Sequence, residues 1–236
     1  MLKFDYKEGV NKMDGNGWTG LDETRARDNI REFTDKSIIA ENKLLEANLH
    51  FFESLRKYWT SPKAVQFGNT YVPKFERLIE SYDRNAREII KSAQIAFNTM
   101  AHSQGIIGRD ISGFEDSFPF GRFDGNAFVG FFNEKNDRWV SGMNIAVVET
   151  QIIPTYIEEF GRAKGLLNEI PTNVALYDPD NNLNSSYALK VNNFINEMSM
   201  LYNDMLNSVN QATKEEILIL DIAKNQAINA LNNQRG

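Results

Sequence analysis

Cysteine is absent from this sequence, and that one gap excludes disulfides, thiolate nucleophiles, iron–sulfur clusters and cysteine-ligated zinc. A chain that passes from a reducing to an oxidising compartment benefits from such a gap, but so do many cytosolic proteins. Histidine is almost as scarce, with only His50 and His102. Neither has a carboxylate at the i+4 spacing of a helix-borne metal motif, and antiparallel helices would set the two far apart. Both read as helix-surface residues. No apolar run approaches the ~20 residues of a membrane-spanning helix, and the start, Met-Leu-Lys-Phe-Asp-Tyr-Lys-Glu, has no apolar core for a Sec signal. A net charge of −6 and a pI near 5.1 speak against nucleic acid, which needs clustered Lys and Arg. Arg25, Arg27, Arg31 and Lys36 are instead interleaved with Asp22, Glu23, Asp28, Glu32 and Asp35, the pattern of a solvated helix face.

Other signatures fail on inspection. Gly15-Asn-Gly17-Trp-Thr-Gly20 lacks the Lys-Ser/Thr and preceding strand of a phosphate loop. Asp178-Pro-Asp180-Asn-Asn182 begins like a calcium loop, but Leu183 stands where glycine is required and Leu189 where a bidentate Glu belongs. The paired acids Glu158-Glu159, Glu215-Glu216 and Asp35 with Glu41 are expected on polar helix faces. No catalytic constellation, cofactor site or metal site emerges.

What is present is helical periodicity. Apolar or small residues recur in steps of three and four at Ile30, Phe33, Ser37, Ala40, Leu44, Ala47, Phe51, Leu55 and Tyr58. They resume at Phe75, Leu78, Tyr82, Ala86, Ile89, Ala93, Ala96 and Met100. Two such stripes separated by a proline-bearing turn predict a zipped helical hairpin. Asp22 with Glu23 and Thr24 marks the first helix start. That helix is expected to run to about Tyr58, and its partner from between Pro62 and Pro73 to Gly105, a C-cap. Pro62 cannot continue the first helix, and Ser61 before it is pushed to an extended conformation. Trp59 then falls where its ring can close the bundle end while its N–H finds a partner.

The residues of this turn, Trp59-Thr60-Ser61-Pro62-Lys-Ala64-Val-Gln-Phe67, resemble the hairpin of the WXG superfamily, small helical proteins exported by type VII secretion. Ser61 stands where that family has Gly. The Trp-x-Ser-Pro-x-Ala-x-x-Phe form is similar to a larger Firmicute-type branch that fuses two hairpins in one chain. Trp18-Thr19-Gly20 fits the three-letter motif literally but precedes the first long helix, and reads as a lead-in. The resemblance implies a non-enzymatic protein that works by protein–protein recognition, with a secretion ATPase, a toxin or a sister helical protein as partner. It also implies an export signal, Tyr-x-x-x-Asp/Glu, after a hairpin's second helix. None of Tyr6, Tyr58, Tyr71, Tyr82, Tyr156, Tyr177, Tyr187 and Tyr202 has an acid four residues on. The signal would then come from a partner chain or take another form, or the protein is not exported by that route.

Residues 106–142 break the period. Phe114, Phe118, Phe120, Phe123, Phe128, Phe131, Phe132 and Trp139 alternate with Gly108, Gly113, Gly121, Gly125, Gly130 and Gly142, and 126–141 reads as a short β-hairpin. The aromatics are expected to pack onto the bundle end. The rival reading is an exposed tongue in which Phe128, Phe131, Phe132 and Trp139 dock a partner or enter a bilayer. A third helix from Met143 to about Glu169 follows, with seam Ile145, Val148, Ile152, Tyr156, Phe160, Ala163 and Leu167, and a kink expected at Pro154. A second break, 170–183, contains Tyr177, Asp178 and Pro179, also similar to the second hairpin of the larger branch. The fourth helix shows Tyr187, Val191, Phe194, Met198, Leu201, Met205, Val209 and Ala212, continuing through Ile217, Leu220, Ala223, Ala227 and Leu231, with Asn182, Asn184 or Ser185 as its cap.

The expectation is an all-α, elongated four-helix bundle of two antiparallel hairpins: lead-in 1–21, first hairpin 22–105, insert 106–142, second hairpin 143–236. Rival functions are a structural or assembly protein, as homo-oligomer, and an α-helical pore-former using 113–141. The location expected is outside the cell by a non-Sec route, or else the cytoplasm.

Overall fold

The computed structural model describes residues 19–106, 108–117, 123 and 142–233. They form an elongated all-α bundle of four helices with one two-stranded antiparallel sheet. Strand β1 is Gly20–Leu21, helix α1 Glu23–Tyr58 and helix α2 Pro62–Ser103. Helix α3 has three pieces: a turn Ile145–Val147, a π-turn Val148–Ile152 and an α-helix Ile153–Leu167. Strand β2 is Leu176–Tyr177 and helix α4 Asn182–Asn233. A 3₁₀ turn lies at Glu115–Ser117.

The caps follow from the residues. Asp22 accepts the Arg25 amide at 3.0 Å, as a side-chain N-cap should. At the end of α2, Gly105 takes φ +74°, its N–H reaches His102 O at 3.0 Å, and Ile106 N–H reaches Ala101 O at 2.9 Å. That doubly closed end is what a glycine after the helix allows. Pro154 lies inside the continuous α3, directly after its π-turn, and lacks the N–H for one helix hydrogen bond. The backbone absorbs it in the π-turn just before, where the Ile153 amide bonds Val148 O five residues back.

Helix directions follow from contacts between elements. Trp59 bridges Met143, Lys36 Nζ meets Glu169 O at 2.8 Å and Asn29 Nδ2 meets Asn173 O at 2.8 Å, so α3 runs antiparallel to α1. Lys190 touches Ser92, Asn85 touches Glu197, Lys74 touches Asp204 and Lys63 touches Glu215, so α4 runs antiparallel to α2. Helices α1 and α2 are antiparallel neighbours as their stripes predict. Their most extensive packing, however, is across the halves, α1 on α3 and α2 on α4. The order is up, down, down, up, so 104–144 is a long crossover from the base of the bundle to the turn end.

Its described residues climb α2. Asn98 exchanges hydrogen bonds with the Ile111 backbone at 2.9 Å both ways, Gln94 accepts the Phe114 amide at 3.1 Å, and Phe123 meets Phe75 edge-on at 4.7 Å between centroids. This packing is along the flank of α2 rather than on the bundle end. The expected hairpin over 126–141 and the aromatics Phe128, Phe131, Phe132 and Trp139 lie outside the described residues, as does Trp18.

One continuous core runs through both halves. Helix α3 is shorter than α1, and the extended stretch with Ile170, Val174, Ala175 and Leu176, all buried, fills the place of its missing turns. There Leu21 pairs with Leu176 and Gly20 with Tyr177, which ties the end of the lead-in to the second break.

Most seam positions are buried, but Ile145 at the start of the third seam and Ala212 in the fourth are only partly so. Tyr58, Ala96 and Met100 are not fully buried, and Tyr202 takes the core position expected of Leu201. Beyond Glu216, α4 has no buried residue.

Candidate functional site

The five motif residues of the first turn come together as one closed unit. Trp59 ends α1 in an extended conformation and is 1% exposed. Its ring stacks on Phe67, 5.5 Å between centroids. Its indole N–H donates to Ser61 Oγ at 2.9 Å, and the same oxygen accepts the Ala64 amide at 3.2 Å, capping α2 with Pro62 in its first turn. A hydroxyl has two acceptor lone pairs, so serine satisfies both donors where glycine would satisfy neither. Ala64 and Phe67 are buried.

The chain entering α3 is fastened to this turn. Thr60 N–H donates to Gly142 O at 2.8 Å, Gly142 N–H returns to Thr60 O at 3.3 Å, and Asn144 N–H reaches Tyr58 O at 2.7 Å. Gly142 has φ +148°, a value that L side chains rarely adopt. The motif therefore shapes the end of the bundle and joins its two halves.

Beneath the turn lies an aromatic and polar layer that the sequence reading did not assemble. Phe51 stacks on Tyr156 at 4.2 Å and contacts Phe67 and Tyr71. Tyr71 OH donates to Asn48 Oδ1 at 2.7 Å and also contacts the Tyr156 hydroxyl. Asn48 in turn donates to Leu44 O at 2.9 Å. Burial pushes the Tyr71 phenol well up, and Tyr156 beside it adds to the rise; burial raises Tyr156 as well, against the opposing hydrogen bond from Tyr71. Both stay neutral hydroxyls, suited to fixing the register of α1, α2 and α3 rather than to proton transfer. The clue in the sequence was Tyr71, four residues from Phe67 and from Phe75 on one face of α2.

The acids require a correction. Glu41 and Glu216 are buried, not on polar faces. Glu41 is four residues from Ser37 and so shares the core face of α1. Burial raises the phenols of Tyr82 and Tyr202, and the carboxylate of Glu41 raises both further. Tyr82 OH donates to Ser37 O at 2.7 Å.

Toward α4, Lys63 pairs with Glu215 at 2.9 Å and Lys74 with Asp204 at 3.3 Å across a shallow groove lined by Phe67, Tyr71 and Ser208. Partly exposed pairs of this kind align two helices and add little stability, about 0–1 kcal/mol each.

The second break sits at the opposite end. Asp178 accepts the amides of Asp180 at 3.1 Å, Asn182 at 2.9 Å and Leu183 at 2.7 Å. The amides of Leu183 and Asn182, then Asp180, hold its carboxyl below the usual range. Asp178 thus caps α4 in place of the expected Asn182, Asn184 or Ser185; Asn184 instead accepts the Val174 amide at 3.3 Å. The reach is possible because Asn181 turns left-handed at φ +55°. Tyr177 is held in β2 and Pro179 is exposed.

The histidines lie far apart. His50 meets Glu159 at 3.3 Å toward the turn end, and His102 meets Asp110 at 2.6 Å at the base. Among the described residues no three or more His, Asp or Glu side chains gather as metal ligands, and no helix is long and apolar enough to cross a membrane.

Among the described residues, a run of exposed apolar side chains lies past the turn end. Residues 218–233 of α4 carry Leu218, Ile219, Ile222, Ile228 and Leu231 in the open, Leu231 at 68%. No protein-family model, curated protein or solved structure matches this chain.

Proposed function

We propose that this protein is a non-enzymatic recognition module of the WXG type, either exported by a type VII secretion system or acting as an export partner there. One observation supports the reading above others: Trp59, Ser61, Pro62, Ala64 and Phe67 form a single closed turn between two long antiparallel helices. The second half of the chain is fastened to that turn and packs on the first within the same molecule, which is the arrangement expected of two fused hairpins. Recognition is then the work of the outer helix surfaces and the two ends, with a secretion ATPase, a toxin or a sister helical protein as partner.

The test is location in the native host, supernatant against cell pellet, with and without the type VII ATPase. ATPase-dependent appearance outside the cell supports the proposal; retention in the pellet in both strains overturns its export arm. Unchanged export of a chain carrying both Trp59→Ala and Pro62→Ala would remove the turn from the argument.

A further inference from the structure

Helix α4 continues for roughly 24 Å beyond Ile217, at 1.5 Å per residue. Residues 221–233 are exposed on every side. A helix segment of this length is marginal in water unless a packed face supports it. Four asparagines, Asn225, Asn229, Asn232 and Asn233, weaken its intrinsic propensity further. Its core stripe nevertheless does not stop at the end of the bundle: Val209, Thr213 and Glu216 are followed at helical spacing by Leu220, Ala223, Ala227 and Leu231.

Charge selects the occupant. Between Ile217 and Asn233 the only ionised side chains are Asp221 and Lys224, opposite in sign and three residues apart. Asp221 also accepts a hydrogen bond from Asn225 at 3.4 Å. A segment with one acid and one base flanking its stripe at that spacing complements itself when turned end for end. If Leu220 faces Ala227 of a second copy, Asp221 comes within about 3 Å along the axis of the partner's Lys224, and the symmetry repeats the pair. Parallel pairing would set like charges together and drive two bundle ends into one space. Antiparallel pairing leaves the bundles at opposite ends of the joint.

We propose that residues 217–233 pair antiparallel with the same segment of a second copy, joining two bundles end to end. This stands independently of the export reading.

Sedimentation of the full chain across a concentration series tests it. The expected result is a rise from monomer to dimer mass. Asp221→Lys alone and Lys224→Asp alone should each weaken self-association at least tenfold, with the thermal unfolding of the bundle unchanged because both positions lie outside its core. Mixing the two variants should restore the dimer, since each supplies the charges the other lacks. The chain has no cysteine of its own, so mixed Leu220→Cys and Ala227→Cys chains report orientation by cross-linking. Monomer mass throughout, failure of the mixture to associate, or cross-links that form only like with like would each overturn the proposal.

Discussion

The two ends of the bundle solve one problem with different chemistry. At the turn end, the break between α1 and α2 is closed by apolar mass: Trp59 on Phe67, with Phe51, Tyr71 and Tyr156 below. At the base, the break before α4 is closed by hydrogen bonds: Asp178 holds three amides, Asp22 N–H reaches Ala175 O at 3.2 Å, and β1 pairs with β2. Buried aromatic surface is insensitive to acid, and deleting one ring leaves a cavity. A carboxylate cap responds to protonation but leaves no void when removed. The ends should therefore fail under different stresses.

The largest effect is expected from alkali. The phenols of Tyr71, Tyr82, Tyr156, Tyr187 and Tyr202 are all raised, first by burial. A group whose folded pKa lies above its unfolded value stabilises the fold below the unfolded value, near pH 10, and loses that contribution as pH climbs toward the folded one. Phenolate absorbance from these residues should thus appear together with loss of helical circular dichroism above about pH 10. Phenolate signal from them in an intact helix spectrum would contradict the closed aromatic layer.

Next comes Trp59→Ala, which should destabilise by about 3–5 kcal/mol through loss of burial plus a cavity. Urea unfolding measures it, and a change near zero would mean that the ring does not seal the end. Ser61→Ala should cost about 1–2 kcal/mol, because it removes a helix cap and strands the indole N–H. Its coupling to Trp59→Phe in a double-mutant cycle isolates that second contribution.

The smallest and most diagnostic effect is at the base. The carboxyl of Asp178 is lowered by the amides it accepts, so its stabilisation is present above the ordinary value near pH 4 and disappears as pH falls through the lower folded value. Asp178→Asn should reduce the melting temperature at neutral pH, and the gap from wild type should close in acid. A gap that persists in acid would assign the loss to shape rather than charge.

Much of this was legible locally. Asp22, Pro62 and Gly105 act over a few residues, and each marks its boundary as the sequence suggests. Trp59 and Phe67 are eight residues apart across one turn, and their meeting follows from the break itself. What was not legible is long-range. A stripe such as Phe33, Leu44 and Phe51 announces a buried face but not which helix covers it, and the main partners proved to be α3 and α4. Leu201 and Tyr202 fit the spacing equally well, and only the third dimension chose between them. Asp178 caps at a distance because Asn181 turns left-handed, a conformation the residue permits without demanding. The charge of Glu41 argues for a polar face, yet its position four residues from Ser37 puts it on the core face.

The long crossover also sets a timetable. Asn48 and Tyr156 are 108 positions apart, and Phe51 has no stacking surface of Tyr156 to lie against until α3 exists. At ribosomal rates of about 5–20 residues per second, that face of α1 waits roughly 5–20 s for its partner. Until α3 arrives, the nascent chain presents an apolar helical face of the kind chaperones bind.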